Sequence, residues 1–193
     1  MSPSAGESQC RVRAPGKDIS EAEAASIFGY VTWLWLRCPL HCRWPVWLLN
    51  EHVLPGIRAG SFALFEDDRR PLGFLSWASL SPEAERRYLK NPNSLSQEDW
   101  SSGDRVWIVD CVAPFGHFPT MYRYIRSHFR QTHVVVRALR LHAGEETAKV
   151  VEYFNPDVPE GLRSSNRKDF LQNYEAAFGP QEQLVESGML RFS

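Results

Sequence analysis

Two residues of this chain stand out as a candidate pair for proton transfer, His41 and Asp110. His41 lies in the segment 38–45 (CPLHCRWP), where two prolines and a tryptophan restrain the backbone. An imidazole titrates near neutrality and can accept a proton from an attacking amine. A carboxylate partner would hold one tautomer and stabilise the imidazolium. The segment indicates a general base at position 41, although a lone histidine is more often a surface or satisfied core residue.

Asp110 interrupts the apolar strand pattern WIVDCVA at 107–113. Strand side chains alternate between two faces. One predicted face holds Ile108, Asp110 and Val112. An ionised carboxylate in such a strand is costly unless it is paired or hydrogen-bonded. Two explanations stay open, a structural salt bridge to Arg105 or Arg137 and a functional role.

Cysteines near His41 allow two further chemistries. Cys38, His41 and Cys42 have the composition of half a zinc site, but no second paired C-x2-C motif follows, so we expect no metal. Cys38 could also be a nucleophile with His41 as its base, or a small buried hydrophobe. Phosphate-binding, dinucleotide-binding, HExxH and GxSxG motifs are absent from the sequence, and we expect no cofactor.

Composition limits the class of protein. The 193 residues are 43% hydrophobic with a net charge of -1, which indicates one globular domain and argues against nucleic-acid binding. Apolar runs stay below the roughly 18 residues that span a bilayer, and the first residues lack a signal-peptide pattern. We therefore expect a cytoplasmic chain without membrane insertion, and four reduced cysteines.

Hydrophobic periodicity predicts an ordered series of elements. The stretch 26–36 fits a buried helix or a strand. A helix follows Pro45, with one apolar face and a tight or kinked end at Pro55. Further helices are predicted at 81–90, at 120–129 and around Phe170, Tyr174 and Phe178. Strands are predicted at 61–66, 72–80, 105–113, 132–141 and 148–154.

This order predicts an α/β chain of the α+β type, in which helices flank a mixed sheet. Residues 1–20 carry Ser, Gly, Pro and mixed charge without periodicity. We predict a flexible N-terminal arm at 1–20, a catalytic domain at 21–179 and a C-terminal tail at 180–193.

Several longer motifs resemble one family, the lysine acyltransferases that activate RTX toxins. The resemblance covers about residues 26 to 178 in the right order. It is carried by TWLW (32–35), PLHxxWPVxLL (39–49), VLPxIRAG (53–60), SWAxLS (76–81), LxxEDWxSGDRxWxxDxVAPFG (95–116) and KVxEY (149–153).

The resemblance implies a GNAT-like fold, with a mostly antiparallel sheet, and transfer of a fatty acyl group from acyl carrier protein to internal lysines of an RTX protoxin. It places the family's catalytic histidine on His41 and its aspartate on Asp110, and it implies a homodimer. We also predict substrate contacts at Cys38, Trp107 and Arg137. The GNAT pyrophosphate loop is missing at 113–118, which favours a carrier-protein donor over free coenzyme A.

Three positions depart from the family pattern. Cys38 replaces a frequent Ser, His52 replaces an Asn, and Cys111 replaces a Trp and could widen the local pocket. We expect an apolar acyl channel, a backbone oxyanion donor at 113–116 and a carrier-docking surface on one helix. Channel candidates are Trp33, Trp35, Trp77 and Trp107, and docking candidates are Arg123, Arg126 and Arg130. The alternative functions are a non-catalytic toxin-binding chaperone and an acetyl-CoA-dependent small-molecule N-acetyltransferase.

Overall fold

The computed structural model describes residues 10–14, 19–140, 147–179 and 189–191. Within them, seven strands form one sheet in chain order: β1 (Arg11–Arg13), β2 (Phe62–Glu66), β3 (Pro71–Leu80), β4 (Arg105–Val112), β5 (Val135–Arg140), β6 (Thr147–Phe154) and β7 (Met189–Arg191). All neighbours are antiparallel except β4 and β5. A parallel pair needs a crossover connection, here a helix. The predicted α/β class, with a GNAT-like, mostly antiparallel sheet, is confirmed.

Six α-helices flank this sheet among the described residues: α1 (Glu21–Trp35), α2 (Trp47–His52), α3 (Leu54–Arg58), α4 (Pro82–Lys90), α5 (Phe118–Phe129) and α6 (Glu160–Phe178). Serine side chains cap the N-termini of two of them: the Ser20 hydroxyl accepts a hydrogen bond from the Glu23 amide, and the Ser81 hydroxyl accepts one from the Ala84 amide. The apolar stretch left open at 26–36 is helical. The helix begins at Glu21, directly after the Ser20 cap, and so starts five residues before the apolar stretch.

Pro55 divides the helix predicted after Pro45 into α2 and α3. Proline has no amide hydrogen to donate, so it is tolerated in a first helical turn and interrupts a longer helix. Leu49, Val53 and Ile57 are nevertheless all buried in one cluster, as their four-residue spacing predicts.

Strand β3 separates two hydrophobic layers. Phe74 and Leu80 point to the face covered by α1 to α4 and α6, whereas Leu75 and Trp77 point to the face covered by α5. Helix α5 buries Met121, Ile125 and Phe129 there, at the spacing predicted from the sequence. The two layers hold β4 at the centre of the sheet.

Strands β1 and β7 were not predicted from the sequence. β1 pairs with β2 through Arg13↔Leu64, and β7 pairs with β6 through Lys149↔Met189. Both strands fall in segments predicted as a loose arm and a tail, and most of those two segments lies outside the described residues. The division into arm, domain and tail stays a prediction. Across the described part of the chain, we find no helix with the length and apolarity to cross a membrane.

Candidate active site

A tight turn after α1 brings Cys38 and His41 together. The Cys38 amide donates to the Trp35 carbonyl at 3.0 Å, and the Cys42 amide donates to the Cys38 carbonyl at 3.0 Å. This helix-like turn places side chains three positions apart next to each other. The Cys38 Sγ lies 2.9 Å from His41 Nδ1. The imidazole itself is 5% exposed, so it is held in the protein interior.

A β-bulge aims Asp110 at this turn. β3 and β4 pair in one register up to Ser76↔Asp110 and resume at Trp77↔Ile108, which leaves Val109 as the extra residue. Asp110 therefore faces α1, whereas Ile108 packs in the layer of α5. The prediction that Ile108 and Asp110 share a face is wrong, because the bulge shifts the alternation by one residue.

Both carboxylate oxygens of Asp110 have partners. Oδ1 lies 3.0 Å from His41 Nε2, and Oδ2 accepts a hydrogen bond of 2.9 Å from the Trp35 indole Nε1. Asp110 is only 2% exposed, so these bonds compensate the loss of water around the charge. His41 and Asp110 therefore lie within hydrogen-bond distance, although 69 positions separate them.

The alternative salt bridge of Asp110 is not formed. Arg105 pairs instead with Glu85 and Asp169, and Arg137 pairs with Glu152. Neither arginine faces the carboxylate, so the only charged or ionisable side chain bonded to Asp110 among the described residues is His41.

The site's electrostatics favour an ion pair. Burial alone would lower the pKa of His41, but the Asp110 carboxylate and the Cys38 sulfur raise that pKa to about 9. Burial would raise the pKa of the Cys38 thiol, whereas its hydrogen bonds to His41 lower that pKa to about 7. At a pH between about 7 and about 9, these pKa values favour a Cys38 thiolate beside a His41 imidazolium.

Two tryptophans enclose the imidazole. The Trp44 and Trp35 rings lie 4.4 Å and 5.2 Å from the His41 ring, centroid to centroid, and they meet each other edge to face at 5.2 Å. These apolar walls keep water from the hydrogen bonds and so strengthen them. Trp44 was not predicted as a site residue, although its place in the Pro-bounded turn, three residues after His41, is a usable signal.

A cleft of about 540 Å³ opens beside His41 and Asp110. It forms because β4 and β5 pair only at Trp107↔Arg137 and Ile108↔Ala138 and then diverge. Its walls include Leu40, Tyr122, Ile125, Leu139, Val151 and Tyr153. A second cavity of about 520 Å³ adjoins it and shares Trp44, Val109 and Leu139. The arrangement can bind an extended, largely apolar ligand with its reactive group at the imidazole.

Comparison with known proteins agrees with this geometry. Residues 20–154 match the model of the RTX toxin acyltransferase family, which is most of the chain. The chain belongs to the RTX toxin acyltransferase family.

Individual relatives cover most of the chain. A leukotoxin-activating lysine-acyltransferase from Aggregatibacter actinomycetemcomitans is 40% identical over 136 residues, which is 70% of this chain and 80% of that protein. A protein-lysine myristoyltransferase from Escherichia coli is 40% identical over 144 residues, or 75% and 84%. An RTX-II toxin-activating lysine-acyltransferase from Actinobacillus pleuropneumoniae is 39% identical over 127 residues, or 65% and 78%. The resemblance found in the sequence and the acyltransferase class are confirmed.

Two of the acyltransferase's predicted substrate-contact residues lie away from the His41–Asp110 pair. Trp107 is fully buried and donates its indole hydrogen to Glu85 at 2.8 Å. Arg137 is buried between Glu152, Asn166 and the Phe170 ring. The structure brings Cys38 to His41 and Asp110, but it places these two side chains in a polar network of the core.

The tryptophans predicted to line the acyl channel also lie in different parts of the structure. Trp35 bonds to Asp110, but Trp33 contacts Phe115, and Trp77 packs on Phe129 in the opposite layer. Among the described residues, the walls of the cleft contain one tryptophan, Trp44, and none of the four predicted ones.

The other two departures from the family pattern occupy different places. His52 Nε2 lies 2.7 Å from the Asn93 side-chain oxygen, and burial lowers the His52 pKa, so this imidazole is neutral at pH 7. Cys111 lines the cleft, where burial and then the Asp110 charge raise its pKa to about 12. His52 thus anchors a loop beside the second cavity, and Cys111 presents a neutral thiol to the cleft.

The segment predicted to supply an oxyanion donor forms a turn. The Gly116 amide donates to the Ala113 carbonyl at 3.3 Å, and Gly116 has a positive φ of 80°, which favours glycine. Ala113 lines the cleft, so the turn begins at the site. The oxyanion donor itself stays a prediction.

Metal ligands do not gather in the part of the chain that the structure describes. We find no group of three or more His, Cys, Asp or Glu side chains arranged to hold an ion there. Cys42 is exposed, with its Sγ 3.6 Å from the Pro39 carbonyl oxygen, so it does not join Cys38 and His41. The four cysteines are free thiols.

Proposed function

We propose that this acyltransferase moves a fatty acyl group from the thioester of acyl carrier protein to the ε-amino group of lysines in an RTX protoxin. The observation that carries the proposal is the buried His41–Asp110 pair at the wall of a cleft of about 540 Å³. The relatives named as toxin-activating lysine-acyltransferases support the same acceptor.

The cleft suits a fatty thioester. Its volume of about 540 Å³ falls in the range of small-molecule sites, and most of its wall is apolar. An acyl chain would gain roughly 0.8 kcal/mol for each buried methylene, so apolar walls can hold the donor in place. The thioester carbonyl would then lie at the polar end, beside His41 and Asp110.

A lysine amine needs a base before it can form an amide. Its reference pKa is about 10.4, and an ammonium ion is not a nucleophile. Asp110 holds the Nε2 side of the imidazole, so Nδ1 is the ring nitrogen that exchanges protons. The pKa of His41 is raised to about 9, so once the imidazole has lost its proton it is a stronger base than an ordinary imidazole for the proton released on attack.

Helix α5 offers a surface for the acidic carrier protein. The helix contributes Tyr122 and Ile125 to the cleft and exposes Arg123 and Arg126, and Arg130 is exposed directly after its last residue. Arg130 also pairs with Asp157. Complementary charge at the mouth of a cleft speeds the encounter with a charged partner.

The function is tested by mass spectrometry of the acceptor. Purified enzyme, a protoxin fragment and myristoyl acyl carrier protein should give a protoxin heavier by one acyl group per modified lysine, and His41→Ala should lose the mass gain. Acetyl-CoA in place of the carrier protein should give none. Binding of the protoxin without a mass gain from any donor would instead identify a chaperone.

The docking surface is tested with charge reversal. Arg123→Glu with Arg126→Glu should raise the KM for acyl carrier protein and leave kcat within about threefold, since both side chains lie outside the cleft. Arg69→Glu, at the exposed β2–β3 loop, is the matched control. An unchanged KM in the double variant would remove α5 as the docking surface.

Other properties expected from the sequence stay predictions. They are a homodimer, catalysis without a cofactor or metal ion, and a cytoplasmic location. Sedimentation equilibrium of the full chain would test the first, and activity after chelation would test the second.

A further inference from the structure

The imidazole of His41 has a partner on each ring nitrogen. Asp110 lies on the Nε2 side at 3.0 Å, and the Cys38 sulfur lies on the Nδ1 side at 2.9 Å. A lysine that approaches this site therefore meets an imidazole whose proton-exchanging nitrogen already faces a thiol. In this order of groups the carboxylate orients the imidazole and the imidazole activates a nucleophile.

We propose that the Cys38 sulfur is the nucleophile of a two-step transfer, in which the acyl group rests as a thioester on Cys38 before it reaches lysine. The inference rests on the proposed function and adds a covalent intermediate to it. Cys38 is half-buried and lies next to His41 at the end of α1. His41 stands between that sulfur and Asp110 and forms part of the cleft wall.

In the first step, the Cys38 thiolate attacks the carbonyl carbon of the carrier thioester. A new C–S bond forms, the carrier's C–S bond breaks, and the carrier sulfur leaves with the proton of the His41 imidazolium. In the second step, the lysine amine attacks the Cys38 thioester, His41 accepts its proton at Nδ1, and the Cys38 thiolate leaves. The sum is one acyl group moved from sulfur to nitrogen, with one proton returned to the carrier thiol.

The electrostatics of the turn support the thiolate. The contact with His41 brings the Cys38 pKa to about 7, against an ordinary value of 9.0. The other ionisable groups near it are Asp110, behind the imidazole, and Cys111, whose own pKa is raised partly by the Cys38 charge. The raised pKa of His41 is then consistent with catalysis, because an imidazolium stabilises the resting thiolate and supplies the first proton.

The other cysteines of the site lack these features. Cys42 is exposed and its Sγ faces the Pro39 carbonyl oxygen. Cys111 lines the cleft, but burial raises its pKa to about 12 and no imidazole accepts its proton among the described residues. Cys42 therefore provides a matched control in the same turn.

The intermediate is tested by acid quench. The full chain is mixed with myristoyl acyl carrier protein without protoxin, quenched within seconds and examined by intact-mass and peptide mass spectrometry. We expect one myristoyl group on Cys38, removed by neutral hydroxylamine and transferred to lysine when protoxin is added before the quench. Cys38→Ala should lose the adduct and at least about 100-fold of protoxin acylation, and Cys42→Ala should keep both.

The two possible failures separate cleanly. Protoxin acylation without an adduct on Cys38, or with Cys38→Ala within about threefold of wild type, overturns the intermediate and leaves the proposed function standing. An adduct without protoxin acylation supports the intermediate and refutes the acceptor. Cys38→Ser guards against a folding artefact, because its adduct would be an oxygen ester that resists neutral hydroxylamine; a labile adduct in that variant would overturn the assignment.

A second readout needs no acyl donor. The rate of Cys38 alkylation by iodoacetamide, followed by peptide mass spectrometry, should rise with pH around a midpoint of about 7 in the wild type. In His41→Ala the midpoint should move up toward the ordinary 9.0. A wild-type midpoint already near 9.0 would overturn the inference.

Discussion

Asp110→Asn removes the charge of the dyad and keeps its shape. The amide can still accept from the Trp35 indole through its oxygen, which turns its NH2 group toward His41 Nε2. That NH2 group is a donor, so it favours the tautomer with Nε2 unprotonated and Nδ1 protonated. Nδ1 is the nitrogen that must accept a proton, and the substitution therefore fixes the wrong tautomer.

The size of the effect follows from the pKa of His41. The wild-type environment raises this pKa from the ordinary 6.5 to about 9, and a difference of that size corresponds to about 3 kcal/mol in favour of the imidazolium. The imidazole is 5% exposed, so solvent screens this interaction weakly. Without the carboxylate, burial acts against the imidazolium and only the Cys38 sulfur still favours it, so we expect the His41 pKa in Asp110→Asn to fall from about 9 toward the ordinary 6.5.

Two measurements check the prediction. Carbon-13 labelling of histidine and NMR titration would follow each imidazole, with His41→Gln assigning the His41 signal. Single-turnover acylation of the protoxin would give the rate, which we expect to fall by about 10²–10⁴. The reasoning is refuted if His41 of Asp110→Asn still titrates near 9, or if its rate stays within about threefold of wild type.

Other predictions concern stability and acyl selection. The His41 pKa is raised on folding, so the stability that Asp110 contributes through the pair is fully present below pH 6.5 and is lost as the pH rises through about 9. Urea unfolding should therefore show a difference in the free energy of unfolding between wild type and Asp110→Asn that shrinks from pH 6.5 to about 9. A difference that stays constant over this range would contradict the prediction. Glu85→Ala should lower the free energy of unfolding by about 3–5 kcal/mol, because buried Glu85 accepts hydrogen bonds from Trp107, Arg105 and Asn173; a loss below about 1 kcal/mol would show that the network is not stabilising. Gly103→Ala should destabilise the protein by about 1–3 kcal/mol, because the added methyl carbon would lie 2.5 Å from the Leu80 carbonyl oxygen. Gly29→Ala in α1 adds a methyl group that meets nothing within 4 Å, so it should stabilise the protein by up to about 1 kcal/mol. Thermal unfolding of the two variants should show shifts of opposite sign, and shifts of the same sign would contradict the prediction. Cys111→Trp should fill part of the cleft and shift the preferred acyl chain to a shorter length, as measured by competition between carrier proteins of different acyl length, and an unchanged preference would place the chain elsewhere.

The pairing of His41 with Asp110 could be predicted because each residue is anomalous in its own segment. An ionisable side chain in an apolar strand needs a partner, and the resemblance to the acyltransferases selected which one. The Trp35 bond could not be predicted in this way. The pattern TWLW at 32–35 does not reveal which indole nitrogen points inward, since that depends on where α1 crosses the sheet.

The bulge at Val109 also could not be predicted from the sequence. No glycine or proline marks it, and the six residues other than Asp110 between Val106 and Val112 are apolar, so the segment resembles one unbroken strand. Ordinary alternation therefore misassigned the faces on either side of it. Glu85 was missed for a related reason: an acidic residue in the first turn of α4 has a sufficient explanation as a helix-start residue, although the structure buries it against β4.

The bulge also explains how one strand serves two purposes. Before it, Trp107 faces the core and donates to Glu85, which fixes β4 against α4. After it, Asp110 faces His41, while β5 has already diverged and opened the cleft. A regular β4 would turn Asp110 toward α5 and leave the imidazole without its carboxylate. The extra residue at Val109 thus places the charge and the binding space side by side, and the His41 turn needs only its (i, i+3) spacing to add the thiol of Cys38.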